Sequence, residues 1–459
     1  MKKIEDVEIA IIGAGIVGIA TAYYLCKKYQ RKSVILIDAR DPMSYTSAQS
    51  GDNYRNWWPS QPMTEFTNHS ISLMHDIARE SSNVLQIKQR GYALATRRRN
   101  IDDLMEALES NYKASEGLVR VHNNSSSDSY VNPHSDDWTS SVNGVDVVSS
   151  KALIQKTFPA FSSQIENVLH IRRAGDFSGQ QLGAYMLEQV KPLGCRRLRG
   201  HVESIVKDDR YTLEVSTQDG TVSLKVDRVV NAAGPYVGEI AKMLGAKLPV
   251  DNVFHQKIAF EDTLQAVPRN QPFSIDMDEA CLDWKDEERA ALYEDPNLTW
   301  LTQPIEGGTH CRPEGTGRWI KLGWAYNRNS SLPNNHQELI NDPMYDSSFP
   351  EVVLRGAARL NPNLSPYIEK LPKGLVHYGG YYTMTKENWP LVGPLDHQGA
   401  FVAGALSGFG SMASCAAGSL CADWVCDGEL PPYSHALAMS RYDDPTLRAQ
   451  MSQTNIGLL

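Results

Sequence analysis

Residues Val7 to Asp38 read VEIAIIGAGIVGIATAYYLCKKYQRKSVILID. The apolar run Val7 to Ile12 predicts a buried parallel strand. Gly13-Ala14-Gly15-Ile16-Val17-Gly18 then turns the chain into a helix running to about Tyr29. A second apolar run, Val34 to Ile37, ends in Asp38, twenty positions after Gly18. That order is the dinucleotide-binding βαβ pattern: Gly13 for the tight turn, Gly15 for close approach of backbone to a pyrophosphate, Gly18 for helix–strand packing. The helix N-terminus offers N–H groups and positive partial charge to phosphates. Asp38 is placed to accept from a ribose diol.

Working outward, 459 residues exceed one ordinary core and predict two domains. Hydrophobic content of 41% and charged content of 22% are those of a globular enzyme. A net charge of −9 argues against non-specific nucleic-acid binding. The seven cysteines form no CxxC pair, which gives no metal signature and suits a reducing compartment, so a cytoplasmic location is expected. Met1-Lys2-Lys3 runs at once into acidic residues and the nucleotide strand, leaving no room for a cleaved leader. No apolar stretch is long enough to predict a membrane span.

Thr46-Ser47-Ala48-Gln49-Ser50-Gly51-Asp52-Asn53-Tyr54-Arg55 is small and hydroxylated, and Trp57-Trp58 follow closely. Small residues admit a flat cofactor; the aromatics either wall a pocket or tuck into the core. Helices are expected at Thr64 to Glu80, Ile101 to Ser110 and Gly179 to Val190, and a strand at Gly91 to Thr96. Asn123 to Asn143 is polar and reads as a loop. Strands are expected at Arg197 to Arg210, Tyr211 to Ser216 and Thr221 to Lys225, with Asp219-Gly220 as a hairpin turn. Val226 to Gly234 reads as another buried strand ending in a small-residue turn, and Pro235 opens a helix. From Leu248 to Lys370 short strands dominate, clearest at Phe254 to Phe260 and Gly317 to Trp324. Asp283 to Glu294 reads as a surface helix. Gly399 to Gly410 feeds a helix of small residues from Ser411 to Val425.

Four motifs in order, GAGIVG with Asp38, TSAQSGDNYR, VVNAAGPYVGEIAKMLG, and YYTMTKENWPLVGP with VAGALSGFGSMASCAAG, resemble the D-amino-acid oxidase, sarcosine oxidase and glycine oxidase family of FAD enzymes. The resemblance implies an α/β chain, α+β overall, with a discontinuous Rossmann-like FAD-binding domain and a mixed β-sheet substrate domain. The expected FAD segments are 1–85, 166–247 and 373–459; the substrate segments are 86–165 and 248–372.

Carried over position by position, the resemblance places Gly13, Ala14, Gly15, Ile16, Val17 and Gly18 at the pyrophosphate. Asp38, with Ala39 and Arg40 after it, falls at the adenosine ribose. Ser47, Ser50 and Gly51 run past the diphosphate and flavin, and Val202 lies at the adenine edge. Ala232, Ala233 and Gly234 line the dinucleotide. Gly408, Phe409, Gly410, Ser411 and Met412 form the glycine turn at the flavin's pyrimidine end, where a helix N-terminus stabilises negative charge on reduced flavin.

Departures from the pattern bear on the substrate. The family's carboxylate-clamping arginine is replaced by Tyr382, and the family's histidine and lysine near the last glycine turn are replaced by Phe409 and Met412. The cysteine that links flavin covalently in the sarcosine oxidase branch is replaced by Gly380, so non-covalent FAD is expected. Arg55, Arg312, His255 and Lys321 are candidate replacement anchors; a structural or surface charge is the other reading of Arg312 and Lys321, and a hydrogen-bonded structural histidine the other reading of His255. Tyr382, His255 and Arg55 are the expected catalytic set, and Trp57, Trp58, Tyr381, Arg312 and Lys321 the expected pocket. In sarcosine oxidases a lysine above the flavin face favours oxygen; Lys257 and Lys321 fall near the corresponding strands, and the resemblance assigns that role to neither.

The resemblance implies oxidation of the C–N bond of a small amine or amino acid, N-substituted or bulky, by hydride transfer to flavin N5 with release of an imine, in an oxidase or dehydrogenase. Oxygen or another carrier would reoxidise the flavin. Flavin-dependent desaturation or hydroxylation of another bond, and an FAD-binding subunit of a larger dehydrogenase, are the alternatives.

Overall fold

The computed structural model describes residues 4–111, 117–124, 130–132, 138–326, 339, 345–395 and 398–453. The polar loop expected at 123–143 lies partly outside them. Among the described residues the strands form one sheet of eight, one of nine and a two-stranded ribbon. No described helix is long and apolar enough to cross a membrane.

The eight-stranded sheet is built on the opening motif. Strand Ile4–Ile12 lies between the parallel strands Val34–Asp38 and Gly220–Asn231. Cys195–Arg199 extends it beyond Val34–Asp38, and Ala400–Gly404 pairs with Val229 to Asn231 on the far side. Three parallel strands thus bring Ile12, Asp38 and Asn231 to one carboxyl edge, where nucleotides bind in open α/β sheets. Helix Ile16–Lys27 returns along the sheet and packs on helix Gly410–Val425. Both are buried nearly all round. A Cβ on Gly418 would fall 2.5 Å from the Ala20 carbonyl carbon, so only glycine allows the two backbones to come this close.

Two expectations change here. The single strand predicted over Arg197 to Arg210 is two, Cys195–Arg199 and His201–Lys207, which pair at different places in the sheet. The break is Gly200, where a Cβ would meet Val215 Cγ1 at 2.6 Å. Conversely, Thr221 to Lys225 and Val226 onward are one strand, Gly220–Asn231, whose first half pairs antiparallel with Tyr211–Thr217.

The nine-stranded sheet runs Val376–Met384, Asp251–Glu261, Trp319–Gly323, Thr309–Pro313, Phe273–Asp276, Tyr92–Thr96, Asn167–Ile171, Val145–Val148, Val119–His122. It is mixed, with parallel pairing only between Phe273–Asp276 and Tyr92–Thr96 and between the last two strands. Strands Asn167–Ile171 and Val376–Met384 pair in this sheet although they lie in stretches read from sequence as nucleotide-binding, 166–247 and 373–459. Each is antiparallel to a strand of the second sheet, a partnership no local pattern encodes. Helix Phe349–Leu360 covers the sheet, with Gly356 against the Trp324 ring. The ribbon Asn53–Arg55 with Ala174–Asp176 lies in the stretch that lines the site.

Candidate active site

A cleft follows the carboxyl edge of the eight-stranded sheet. Its first part is lined by Gly13, Ala14, Gly15, Asp38, Ala39, Arg40, Val202, Ala232, Ala233 and Gly234. Gly13 sits at φ 111° with its Cα so close to the Ala232 carbonyl that a Cβ would be 2.2 Å from that oxygen. A Cβ on Gly18 would in turn strike the Gly13 carbonyl oxygen at 2.0 Å. The turn is therefore closed to any side chain. Asp38 Oδ2 accepts from the Ala14 amide at 2.8 Å and Oδ1 from the Arg40 amide at 2.8 Å. This fixes the carboxylate at the mouth of the turn with lone pairs to spare for a diol. The Arg40 guanidinium lies 3.9 Å from the Tyr45 ring centre and 5.6 Å from that of Tyr236.

The second part shares Gly15, Thr46, Ser47, Ala232 and Gly234 with the first and continues past Ile16, Val17, Ser50 and Gly51 to Gly408, Gly410 and Ser411. Ser47 Oγ accepts from the Ile16 amide at 3.1 Å, tying the hydroxylated loop to the start of the first helix. Ser411 donates to Ser50 at 2.9 Å, tying its other end to the start of the last helix. A long cofactor fits this channel on two observations. Gly234 stands at φ 56° with open space where a side chain would begin, and Thr46 Oγ1 is buried with no hydrogen-bond partner among the described residues. Both mark polar and steric room reserved along the channel.

Beyond the channel lies a cavity lined by Ser50, Gly51, Asp52, Asn53, Arg55 and Trp58 from the loop, and by Lys257, Tyr382, Gly408, Phe409, Ser411 and Met412. Tyr92, Phe273, Gly307, Gly308, His310 and Ala325 close it from the nine-stranded sheet. Trp58 meets Phe409 edge-on at 4.7 Å, and Tyr92 meets Phe273 at 4.5 Å, giving aromatic walls. The buried Arg55 guanidinium lies 4.3 Å from the Trp58 ring centre and 5.7 Å from that of Tyr92. Lys257 lies 5.1 Å from the Tyr382 ring centre and lines both cavity and channel. Tyr382 therefore stands at the junction.

Several expected residues fall elsewhere. Trp57 is packed in the core with Tyr92, Leu94 and Leu169 and lines none of these spaces. Its neighbour in sequence, Trp58, lines the cavity instead. Arg312 and Lys321 do not line the cavity. Arg312 donates through Nε and Nη2 to the Gly51 carbonyl, at 3.2 and 2.7 Å, and pairs with Glu314 at 2.6 Å. Lys321 pairs with the same Glu314 at 3.1 Å. Burial works to raise the Glu314 pKa, yet Arg312 and Lys321 outweigh it and hold the group ionised. These two cations are committed to a carboxylate and to shaping the Gly51 turn. His255 is buried edge-on against Tyr382 at 4.4 Å and reaches the cavity only through that ring. Tyr381 lines the channel. Asp52, Asn53, Tyr92, Phe273 and His310 were not singled out from sequence. Tyr92 and Phe273 pair in register across strands far apart in the chain, and only Asp52 and Asn53 carried a local signal, their place in the TSAQSGDNYR loop.

A family model described as DAO, FAD dependent oxidoreductase, matches residues 8–424. The chain belongs to this family of FAD-dependent oxidoreductases, and its cofactor is FAD. The mitochondrial dimethylglycine dehydrogenase of Mus musculus is 23% identical over 444 residues, covering 94% of this chain and 43% of that protein. The chain thus spans less than half the length of that relative. Among solved structures, L-proline dehydrogenase from P. horikoshii superposes with a TM-score of 0.71 at 17% identity, over 96% of this chain and 98% of the other. Iminodiacetate oxidase from Chelativorans sp. BNC1 gives 0.68 at 15% identity, over 94% and 98%. These likenesses establish the DAO-type fold.

Proposed function

We propose that this chain oxidises the C–N bond of a small N-substituted amino acid. The observation that carries the reading is the cavity beyond the channel, aromatic on its walls and lined by the Arg55 guanidinium. The relatives' names point the same way: proline and iminodiacetate are secondary amines, dimethylglycine is a tertiary one, and all carry a carboxylate.

In this reading Gly13, Gly15 and Gly18 with the first helix hold the pyrophosphate, Asp38 the ribose, and Val202 the adenine edge. Ser50, Gly51 and the Gly408–Ser411 turn seat the ring system. Bound FAD supplies the hydride acceptor for the substrate's α C–H. Arg55 holds the substrate carboxylate; its cation–π contact with the Trp58 ring restricts the guanidinium, so little is lost in ordering it. Trp58, Tyr92, Phe273 and Phe409 exclude water, which strengthens every charge interaction inside. Tyr382, backed by His255, orients the substrate over the junction. Lys257 places a cation where channel and cavity meet and is the residue expected to govern reaction with oxygen. The imine hydrolyses after release. A cytoplasmic location belongs to this reading, on the scatter of the seven cysteines without a CxxC pair.

Anaerobic mixing with N-methyl, N,N-dimethyl, cyclic and D-amino acids tests the reading. Loss of the oxidised flavin band with one of the N-methyl, N,N-dimethyl or cyclic classes is expected, and not with the unsubstituted D-amino acids. Reduction by none of them, but by a substrate without a C–N bond, would overturn it.

A further inference from the structure

We propose that Asp52 receives the cationic nitrogen of the substrate, so that the cavity takes a zwitterion with its carboxylate at Arg55 and its ammonium at Asp52. This rests on the reading of the cavity as an amino-acid site and adds to it the charge state that is recognised.

Asp52 lines the cavity, and its Oδ1 is buried without a hydrogen-bond partner among the described residues. A buried carboxylate oxygen left unpaired is costly, and the expected resolution is a ligand that supplies the donor. The residue also stands at φ 54°, in the left-handed region that a β-carbon disfavours. The surrounding structure enforces this conformation: Arg312 clamps the Gly51 carbonyl from one side, and the Phe177 amide donates to the Asp52 carbonyl at 3.0 Å from the other. A Cβ on Gly179 would lie 2.6 Å from Oδ1, so that position, too, is kept bare for the carboxylate.

The neighbouring cations do not satisfy it. Arg312 and Lys321 act on Asp52 electrostatically, but their ion pairs are with Glu314 and, for Arg312, Asp176. Burial outweighs them together with the Ser50 hydroxyl and Gly179 amide, and the pKa of Asp52 is raised. Cationic nitrogen is the complement that relieves this penalty. The charges lining the cavity agree: the cations of Arg55 and Lys257 share it with the single carboxylate of Asp52.

The test compares 2-amino-2-methylpropanoate, whose ammonium can donate and which has no α C–H to lose, with 2,2-dimethylpropanoate, its isostere with carbon in place of the charged nitrogen, by the change each causes in the flavin absorbance of the holoenzyme. Wild type is expected to bind the ammonium compound at least about tenfold more tightly, as a charge-assisted contact supplies. In Asp52→Asn the preference should shrink to about twofold or less while binding of the carbon isostere holds. Asparagine tolerates φ > 0, and Asp52→Gly, which has full freedom there, serves as the second variant if flavin content falls. An undiminished preference in both variants, or none in wild type, overturns the assignment. If no amine reduces the flavin yet the preference vanishes on substitution, the proposed reaction fails and the role of Asp52 stands.

Discussion

Gly408 and Tyr382 occupy adjoining space with nothing between them: a Cβ on Gly408 would fall 2.4 Å from Tyr382 Cε2 and 2.8 Å from its hydroxyl oxygen. The glycine turn at the start of the last helix thus sets the position of the ring at the junction of channel and cavity. Gly408→Ala should displace that ring and lower kcat/KM for the amine substrate by about tenfold or more, since small misplacements of positioning groups are costly. Flavin content should hold. In a Tyr382→Leu background the same alanine should cost little, the non-additivity expected of residues in contact. Equal losses in the two backgrounds would remove the coupling.

The pyrophosphate turn makes a separate prediction. A Cβ on Gly15 would lie 3.1 Å from Ser47 Oγ, the atom that accepts from the Ile16 amide. Gly15→Leu should therefore yield folded protein without bound FAD, read from the absorbance ratio of the purified chain. Normal flavin content would refute the assignment of this turn to the pyrophosphate.

What the sequence disclosed divides along a physical line. Gly13, Gly15 and Gly18 were legible because their reason is local: a turn, a close approach, a helix packed on its own strand. The pocket residues were not, because their reasons are long-range. Trp57 and Trp58 are indistinguishable as letters, and only the course of the chain sends one to Phe409 and the other into the core. Arg312 and Lys321 looked available as anchors until Glu314 was placed between them. The wall made by Tyr92 and Phe273 depends on a parallel pairing between strands from opposite halves of the second sheet.

Attachment of the cofactor follows from Gly380. A Cβ there would lie 3.1 Å from Gln49 Cβ, so the strand passes close to the hydroxylated loop with no nucleophile between them. None of the seven cysteines lines the channel or the cavity. Acid precipitation should leave all flavin in the supernatant; yellow colour retained in the washed pellet would show a covalent bond.

Arg55, proposed as the carboxylate anchor, is the residue whose loss should separate substrate from cofactor. It lines the cavity and not the channel. Arg55→Ala should raise the KM for a carboxylate-bearing substrate by about tenfold or more while FAD affinity changes by no more than a few-fold. Arg55→Lys should recover little, because a lysine does not reproduce the planar fork. An unchanged KM in the alanine variant would exclude it as an anchor.

Acid stability should report on His170, deep in the nine-stranded sheet. Its Nδ1 accepts from the Tyr130 hydroxyl at 2.9 Å and its Nε2–H donates to the Arg90 carbonyl at 3.0 Å, which satisfies the neutral ring completely. Burial, reinforced by the nearby Arg172, pushes its pKa down to about 3. In the unfolded chain the ring titrates near about 6.5. Between these values the unfolded state binds one more proton, so this contribution is fully present above about pH 6.5 and is lost as pH falls, at about 1.4 kcal/mol per unit. His75, pushed down to about 4 by burial, adds to the same window. Urea unfolding of His170→Gln should show lower stability at pH 8, where the neutral ring's two hydrogen bonds are lost, and a slope between pH 4 and 6 shallower by about one proton. A variant that keeps the wild-type slope would mean that His170 is not held neutral in the fold.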